Sequence, residues 1–398
     1  MSDATRRPGR TPPRTVLDRL DPQAAQADAP PYIYRPVELP VRAGADVLER
    51  LRGLAWVGTP AVIAVASRVW SAFWMMALIP AVHTTRGLPF AIWDAIWYFG
   101  VVKNGYHGYA VRGAHDFAFF PAWPALIKLG SLTGLHPALV GTVLANLLFV
   151  TAAILTWRVL DLRLGGTVAT GGLLLLSFAP SAYVFSMAYS EPLFLVATAA
   201  YFLASDTSAR RGLFAGLAML TRIAGAAVAA SALAQFVFGP RPGRRTALLV
   251  MVATSLAFGI WWMFIAYLTH RLTGFLSGSP AWVHGGTGLE RLVEAVRRPT
   301  IQRVAWIAFF VIVGLGALAL LRVDRELAVF SIAALALAFL PGGLVPSMPR
   351  YALAAFPAFA GLAVRFGRRG TWALAGCFAL AQIAFVAWMI ALPGGQAP

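Results

Sequence analysis

The sequence predicts an all-α, polytopic membrane protein. Hydrophobic residues make up 59% of the 398 residues and charged residues 12%, and the mean hydropathy is +0.70. In soluble domains roughly a quarter of the residues are charged, so this chain has about half of the charged residues expected of a soluble domain. Several apolar stretches exceed the ~18 residues that mark a transmembrane helix. They are continuous rather than alternating, which disfavours a β-barrel.

The net charge of +17 is explained by membrane topology. The arginines cluster in short polar gaps between hydrophobic stretches, as expected of cytoplasmic loops under the positive-inside rule. No soluble domain carries a basic surface with interleaved aromatic residues, so we expect no nucleic acid partner. The single cysteine, Cys377, lies in an apolar stretch, which argues against a disulfide framework and a cysteine-based metal site. No convincing metal-ligand spacing occurs, and we expect no cofactor.

The chain divides into a tail and a membrane domain. Residues 1–50 are rich in Pro, Ala, Arg and Asp and cannot bury enough apolar area to offset their ordering entropy. We therefore predict a disordered N-terminal tail at 1–50, and its arginines place it in the cytoplasm. Residues 51–398 are predicted to form the membrane-embedded domain.

About ten or eleven hydrophobic segments are predicted in this domain, some too short to span a bilayer alone. They lie at 54–79, 138–157, 166–186, 192–204, 212–238, 246–268, 303–321, 327–343, 352–364 and 372–392. Two external loops are predicted at 80–136 and 270–302. The second loop carries a surface helix at about Leu289–Arg298, interpreted as a solvated amphipathic helix with Glu290 and Glu294 beside arginines.

Two arginines interrupt the apolar segments. Arg68 lies within the first span, where a charge is costly in lipid and should face the protein interior or a cavity. Arg222 lies in a break at 221–225 within the segment 212–238. We predict that this segment enters and returns as two short pieces. Irregular backbone at membrane depth is tolerated only where it is buried or lines a cavity, so Arg222 is a pocket candidate.

Aromatic and charged residues are crowded in the first external loop. Asp94 is flanked by Trp93, Trp97 and Tyr98, and positions i, i+3 and i+4 share one face of a helix. Aromatic rings stack on the apolar face of a sugar, and a partly desolvated carboxylate is suited to act as a general base. The pattern equally fits an interfacial aromatic belt with Asp94 as a helix N-cap, so both interpretations stay open.

Several cations could hold an anionic head group. Arg350 follows Pro349 just outside a short span, and a guanidinium there can bind a phosphate bidentately. Alternatively, Arg350 is an ordinary topology signal and the orientation is inverted. The further candidates for an anion are Lys103, His107, His115 and Arg222. Glu191 stands at a helix start, where a carboxylate is favoured by the helix dipole.

A series of short motifs runs in order across residues 93–351. They are Trp93-Asp94-Ala95 with Trp97-Tyr98, Gly105-Tyr106, Phe119-Phe120-Pro121 with Pro124, Ser186 with Tyr189-Ser190-Glu191-Pro192-Leu193-Phe194, Leu220-Thr221-Arg222 and Pro349-Arg350-Tyr351. This ordered set resembles the PIG-V family, the GPI mannosyltransferases that add the second mannose, with bacterial relatives.

The resemblance implies a GT-C fold, a multi-helix membrane glycosyltransferase that uses a polyprenyl-phosphate sugar donor at the external face. It implies that Asp94 matches the acid of the first external loop, which is the usual candidate for the catalytic base. Glu191, Arg222 and Arg350 match motif positions. The chain departs from the family at Ile92, where members commonly have Arg, and at Ile223, where a proline often stands.

The resulting hypothesis is an inverting transfer of a hexose, expected to be mannose, from that donor to an acceptor lipid or glycan. Asp94 would deprotonate the attacking hydroxyl. The departing phosphate would be stabilised by cations, with Arg350, Arg222, Lys103 and His107 as the candidates. The expected substrate-binding residues are Trp93, Trp97, Tyr98, Tyr106, Asp116, Tyr189, Glu191 and Tyr351.

The location expected from this hypothesis is the cell membrane, with the chain crossing the lipid bilayer many times. The N-terminus would lie in the cytoplasm and the active site on the external face. The alternative function is a transporter or flippase of a lipid or small solute, in which Arg68 and Arg222 would line a pathway. No internal repeat of the kind common in transporters is visible. A scaffold for a neighbouring enzyme would leave the Asp94 cluster dispensable.

Overall fold

The computed structural model describes residues 47–78, 90–106, 110–111, 114–204, 208–278, 288–339 and 347–391. Within these ranges the regular secondary structure is helical apart from one short antiparallel ladder, in which Ala110 pairs with His115 and Val111 with Ala114. The predicted all-α class is therefore confirmed. Most of the predicted tail, residues 1–46, and the candidate His107 lie outside the described residues. Residues Leu51–Pro398 form one compact unit.

Helices follow one another along almost the whole of the described chain. In chain order the α-helices are α1 Val47–Leu78, α2 Asp94–Asn104, α3 Ala122–Ser131, α4 Pro137–Leu164, α5 Gly166–Ser177, α6 Glu191–Leu203, α7 Ser208–Thr221, α8 Ala226–Phe238, α9 Arg244–Thr269, α10 Gly288–Arg297, α11 Ile301–Leu320, α12 Arg325–Leu337, α13 Met348–Ala352 and α14 Phe356–Ala391. The strands are β1 Ala110–Val111 and β2 Ala114–His115. The 3-10 helices are Asp116–Ala118, Ala182–Ser186, Ile223–Gly225, Arg241–Gly243 and Gly274–Gly278.

Five helices in the described part of the chain are long and apolar enough to cross a membrane, judged by length and composition. They lie at Trp56–Leu78, Pro137–Leu164, Arg241–Thr269, Ile301–Leu320 and Phe356–Ile390. Shorter apolar helices lie at Gly166–Ser177, Glu191–Leu203 and Ile223–Phe238. Helices α7 and α12 account for the remaining predicted segments. Each hydrophobic segment predicted from the sequence thus contains a helix.

The last of these helices, α14, is two antiparallel segments joined at Gly367. Gly367 has a φ of 63° and a ψ of −176°, a backbone conformation that glycine adopts without steric cost. The Phe309 ring lies 6.4 Å from both the Phe359 and the Phe385 ring centroids. In a straight helix Phe359 and Phe385 would be about 39 Å apart. The chain therefore folds back at Gly367, as expected from the separate segments 352–364 and 372–392.

Two predicted segments were too long. The segment 166–186 was wrong as a single helix, because α5 ends at Ser177 and a separate 3-10 helix, Ala182–Ser186, follows. Pro180 explains the break, since proline lacks an N–H and the residue before it disfavours the α conformation. Helix α12 ends at Leu337 rather than at 343, and residues 340–346 lie outside the described ranges.

The predicted break at Arg222 is present. Helix α7 ends at Thr221, Arg222 is extended with φ −170° and ψ 159°, and the 3-10 helix Ile223–Gly225 leads into α8. A side chain at Gly225 would clash with the backbone of Met219. The chain can therefore turn this tightly only with glycine at that position.

The centre of the bundle is formed by α5, α6 and the segment between them, whose residues are almost all buried. Helices α4 and α7 pack against α6, and both α4 and α14 pack against α5. Helices α11 and α14 approach closely where Gly316 and Gly361 meet, since a side chain at either would clash with the opposite backbone. Small residues at such crossings are common between membrane helices.

The buried Arg68 of α1 binds backbone groups at the centre of the bundle. Its Nη1 donates to the Ala182 carbonyl at 2.7 Å and to Ser186 Oγ at 3.1 Å, and its Nη2 donates to the Ser177 carbonyl at 3.2 Å. The Phe149 ring centroid lies 4.3 Å from its guanidinium. Carbonyl groups at a helix end lack intrahelical partners, so Arg68 caps the end of α5. The structure places it in the protein interior, as predicted.

Candidate active site

Two carboxylates and two guanidinium groups from four segments meet in one buried cluster. Arg350 Nη1 lies 2.5 Å from Asp94 Oδ2, and Arg350 Nε lies 3.3 Å from Glu191 Oε1. Arg222 Nη1 lies 2.7 Å from the same Oε1 atom. These side chains are only 5–13% exposed. The formal charges of this four-charge cluster (Asp94, Glu191, Arg222 and Arg350) cancel.

Asp94 is the first residue of α2, and the backbone immediately before it is strained. Trp93 holds the N-cap position with φ 52° and ψ −116°, a conformation that costs a bulky residue about 1–3 kcal/mol. The interpretation of Asp94 as the N-cap was therefore wrong. The Asp94 carboxylate binds Arg350 instead of the helix backbone.

The strained turn is tied to the segment that precedes α6. The Ala188 N–H donates to the Phe90 carbonyl at 2.9 Å, and the Trp123 indole N–H donates to the Ala188 carbonyl at 2.9 Å. The Tyr98 hydroxyl donates to Ser190 Oγ at 3.0 Å. These bonds join α2 and α3 to the start of α6, and so bring Asp94 towards Glu191.

Glu191 is the first residue of α6 and is 4% exposed. Its carboxylate benefits from the partial positive charge at the helix N-terminus, as the sequence predicted. The same carboxylate contacts both Arg222 and Arg350 through one oxygen atom. Glu191 therefore belongs to the cluster as well as to the helix end.

Tyrosine rings lie against both arginines of the four-charge cluster. The Arg350 guanidinium carbon lies 5.2 Å from the Tyr189 ring centroid and 5.3 Å from that of Tyr351, and the Arg222 guanidinium carbon lies 5.8 Å from the latter. Cation–π contacts of this kind hold a guanidinium without using its N–H groups. Arg350 Nε and Arg222 Nη1 contact Glu191 without hydrogen-bond geometry. Hydrogen-bonding capacity of both arginines is therefore not used by the described residues.

Asp94 is more basic than an exposed aspartate. Burial raises the pKa of Asp94 above its ordinary value of 3.8, the Arg350 guanidinium opposes this rise, and the nearby Glu191 carboxylate adds to it. Desolvation penalises the charged form of a carboxyl group, and here it outweighs the ion pair. Among the described residues the ion pair engages only Oδ2, so Oδ1 makes no hydrogen bond there.

Other residues predicted for the site lie elsewhere. Lys103 is exposed at the end of α2, nine residues and about 14 Å along the helix axis from Asp94. Tyr106 donates its hydroxyl hydrogen to the Phe119 carbonyl at 2.7 Å and packs on Trp261. Asp116 is buried in its own 3-10 helix. The structure does not bring these three into the four-charge cluster.

Some of the aromatic residues predicted for the site lie at the four-charge cluster, and others lie elsewhere. Tyr98, Tyr189 and Tyr351 lie at the cluster. The Trp97 ring instead stacks on Phe119 at 5.6 Å, and Trp93 is partly buried against the hydrophobic core. His115 belongs to β2.

Two serines that were absent from the predicted site support it. The Ser181 hydroxyl donates to the Pro349 carbonyl at 2.8 Å, which holds α13 against the centre of the bundle. Ser190 receives the Tyr98 hydroxyl bond. Ser190 lies within the motif that contains Glu191, whereas no sequence signal marks Ser181.

A second charged cluster lies near the other end of α6. Arg163 Nη1 lies 3.1 Å from Asp324 Oδ2 and Arg163 Nη2 lies 2.8 Å from Glu326 Oε2, while Arg211 lies 3.6 Å from Glu326. Arg211 also covers the ring of Tyr201. Tyr201 follows Glu191 by ten residues, or about 15 Å of helix. The second charged cluster (Arg163, Arg211, Asp324 and Glu326) is thus separated from the first by the length of α6.

The acids of the four-charge cluster are arranged around a guanidinium. In the described ranges no group of three or more His, Cys, Asp or Glu residues could hold a metal ion. The two carboxylates of the four-charge cluster are bridged by Arg350. A guanidinium therefore takes the bridging position between them.

Comparison with known families confirms the resemblance. Residues 82–239 match the family model described as mannosyltransferase (PIG-V). Asp94, Glu191 and Arg222 lie inside this match, and Arg350 lies beyond it. No curated protein matches the chain.

Solved structures share the fold. The chain is similar to the Archaeoglobus fulgidus oligosaccharyltransferase in the apo form, with a TM-score of 0.51, 14% identity, and coverage of 88% of this chain and 57% of that chain. The archaeal oligosaccharyltransferase AglB from Archaeoglobus fulgidus, in complex with an inhibitory peptide and a dolichol-phosphate, gives a TM-score of 0.51, 13% identity and the same coverages. The chain thus spans 57% of the length of these neighbours. The GT-C-like fold is confirmed.

Proposed function

We propose that this chain, which matches the mannosyltransferase (PIG-V) family over residues 82–239, transfers a hexose from a polyprenyl-phosphate donor to an acceptor lipid or glycan. The proposal rests on one observation: a buried carboxylate and two arginines with unused hydrogen-bonding capacity meet in the four-charge cluster. Glycosyl transfer from a lipid phosphate needs a base for the acceptor and cations for the leaving group, and this cluster contains both.

Asp94 is the proposed general base. Its Oδ1 atom would accept the proton of the acceptor hydroxyl while the acceptor oxygen forms a bond to the anomeric carbon. The bond between that carbon and the phosphate oxygen breaks, and the polyprenyl phosphate leaves with the bonding electrons. Attack from the side opposite the leaving group inverts the anomeric configuration. The raised pKa of Asp94 suits this role, because a base is most effective when its pKa approaches the working pH.

Arg350 and Arg222 are proposed to hold the donor phosphate. The leaving phosphate gains one negative charge as its ester bond breaks, and preorganised cations in a water-poor site stabilise such charge. Both guanidinium groups lie against aromatic rings, and Arg350 Nε and Arg222 Nη1 make no hydrogen bond among the described residues, so these N–H groups are proposed to bind the anion. Lys103 lies too far along α2 to share the phosphate in this geometry.

Arg350 is proposed to couple the base to the leaving group. It contacts Asp94 directly. As charge builds on the phosphate, Arg350 is drawn towards it and its hold on Asp94 weakens. Loss of a cationic neighbour raises the pKa of a carboxylate. Asp94 therefore becomes a stronger base at the stage of the reaction in which the proton of the acceptor hydroxyl is removed.

Mannose is the proposed sugar because the matched family transfers mannose. The site is proposed to open at the external face of the cell membrane. The opposite end of α6 carries the second charged cluster with Arg163 and Arg211, and arginine-rich ends of membrane bundles are usually cytoplasmic. The N-terminal tail would then also be cytoplasmic. The transporter alternative loses its support, since Arg68 caps a helix end and Arg222 is paired with Glu191.

The test is transfer of labelled mannose from polyprenyl-phosphate-mannose, in membranes that contain wild-type protein, Asp94→Asn or the control Asp324→Asn. Loss of a general base costs about 10²–10⁴-fold in rate, so Asp94→Asn should lose transfer. Asp324→Asn removes an acid of the second charged cluster and should keep the rate per folded molecule. Folded protein is quantified by size-exclusion chromatography.

Two results would contradict the proposal. Equal activity of wild type and Asp94→Asn would remove Asp94 from the chemistry. Absence of transfer by folded wild-type protein, together with uptake of a lipid or solute into vesicles, would favour a transporter.

A further inference from the structure

The helix α10 has one face packed on the bundle and one apolar face left exposed. Ala295 is 3% exposed and Leu292 packs against the hydrophobic core, so this face holds the helix in place. Leu289, Val293 and Val296 are 65%, 42% and 64% exposed. At about 100° per residue these three lie within one narrow stripe beside the buried face.

Charged residues occupy a third face of α10. Glu290, Glu294 and Arg297 are exposed and lie about 100° round the helix from the apolar stripe. An exposed apolar stripe beside a charged stripe is the arrangement of a helix that lies in a membrane interface. A fully solvated helix has no need of the apolar stripe.

The apolar stripe of α10 leads into the lipid-facing side of a membrane span. Helix α11 begins at Ile301, shortly after α10 ends at Arg297. Its exposed apolar residues are Val304, Val311, Leu315 and Leu318, spaced so that they form one stripe along the helix. The opposite face of α11 is buried. Because α11 is long and apolar enough to cross a membrane, its exposed stripe faces lipid.

Helix α10 lies at the same end of the bundle as the four-charge cluster. The far end of α11 leads directly to Asp324 in the second charged cluster. The 20 residues of α11 span about 30 Å, so Ile301 and α10 are at the opposite end. Helix α13, which carries Arg350, packs against α11.

We propose that α10 lies in the membrane–water interface at the end of the bundle that holds the four-charge cluster. Leu289, Val293 and Val296 enter the boundary of the acyl chains, and Glu290 and Glu294 face water. The occupant of the exposed stripe is therefore lipid. This replaces the interpretation of α10 as a solvated surface helix. The proposal concerns the membrane placement of the protein and stands independently of the reaction it catalyses.

The test measures which reagent reaches each face of α10. Full-length protein carrying Cys377→Ser receives single cysteines by Leu289→Cys, Val293→Cys or Val296→Cys, with Glu290→Cys and Glu294→Cys as matched controls. Each is spin-labelled and reconstituted into phosphatidylcholine–phosphatidylglycerol vesicles. Collision rates with oxygen, which concentrates in lipid, and with a water-soluble nickel chelate are then measured by electron paramagnetic resonance.

The proposal predicts a periodic pattern. The ratio of oxygen to nickel collisions should be several-fold higher at 289, 293 and 296 than at 290 and 294. Nickel access of equal size at all five positions would show a solvated helix and overturn the proposal. Low access of both reagents at the three apolar positions would show that protein covers the stripe, and would also overturn it.

Discussion

The two charged clusters have the same composition but differ in how their ion pairs are hydrogen-bonded and in the backbone around them. Each contains two acids and two arginines, and they lie at opposite ends of α6. In the second charged cluster the ion pairs of Arg163 are also hydrogen bonds, and Asp324 additionally accepts from the Leu327 N–H at 3.0 Å to cap α12. Its side chains are 10–23% exposed. These bonds join α4 to the start of α12.

The four-charge cluster differs from the second charged cluster in the strain of its backbone. Its turn contains Trp93 at a φ of 52°, whereas Arg163 of the second cluster is followed closely by Gly165, which takes a φ of 86°. Glycine adopts this region without cost, while tryptophan does not. Strain that the surroundings enforce is typical of functional sites. Charge composition alone therefore does not distinguish the two clusters, and neither do unused hydrogen bonds, since Arg211 Nε and Glu326 Oε1 of the second cluster also lack a hydrogen-bond partner among the described residues. The backbone strain at Trp93 does distinguish them.

The largest contrast is expected from matched arginine variants. Arg350→Lys keeps the charge but cannot contact Asp94 and Glu191 together, because lysine lacks the planar fork. Transfer should fall by about 10²-fold, as when a stabilising donor is removed from an active site. In Arg163→Lys the rate per folded molecule should stay unchanged, while the loss of hydrogen bonds to charged groups lowers stability by about 1.5–3 kcal/mol.

Both variants are measured by mannose transfer and by thermal unfolding in the same detergent. The comparison fails if Arg163→Lys lowers the rate as strongly as Arg350→Lys at equal amounts of folded protein. It also fails if Arg350→Lys unfolds at a much lower temperature, since the site would then be structural.

A smaller effect is expected in the pH dependence of transfer. A base must be ionised, so activity is lost as the pH falls through the pKa of Asp94. Because burial raises that pKa, the acid limb of kcat/KM should lie above the ~3.9 of an exposed aspartate. The substitution Glu191→Gln removes a neighbouring negative charge that raises the pKa of Asp94. The acid limb of kcat/KM should therefore move to lower pH in this variant. An acid limb at the same pH in wild type and Glu191→Gln, measured at equal amounts of folded protein, would show that Glu191 does not raise the pKa of Asp94.

The smallest effect concerns the strained turn. Trp93→Ala removes the ring and keeps the unfavourable φ, whereas Trp93→Gly removes both. The Gly variant should therefore be more stable than the Ala variant by about 1 kcal/mol, the reverse of the order at ordinary helical positions. Chemical unfolding of the two variants measures the difference. An Ala variant of equal or greater stability would show that Trp93 is unstrained.

The apolar segments were predictable because the bilayer fixes their length. A helix must carry about 20 apolar residues to cross the hydrocarbon core, and such runs are visible without knowledge of any contact. The end of α5 was misplaced because Pro180 was read as part of an apolar stretch, although it ends the helix. The break at Arg222 was visible because a charge and a glycine stand together in an apolar run.

The site was only partly predictable. Residue type and position in the predicted first external loop pointed to Asp94, but no pattern shows which arginine meets it from 256 residues away. Lys103 was included because it is a cation close to Asp94 in the sequence. Helix α2 instead carries Lys103 away from Asp94. Pairings between distant segments depend on how helices pack, and that information is not local in the sequence.

The position of Arg68 has a consequence for how the chain is assembled in the membrane. Its partners Ser177, Ala182 and Ser186 are synthesised 109 to 118 residues later. Until then α1 enters the bilayer with a guanidinium that lacks these three partners near the middle of Trp56–Leu78, and a central arginine costs about 2.5–3.5 kcal/mol on insertion scales. The insertion of α5 and of the segment after it supplies the partners that offset this cost. The pairing of Arg68 is in this way linked to the order of synthesis, and a chain truncated before Ser177 would lack all three of these partners.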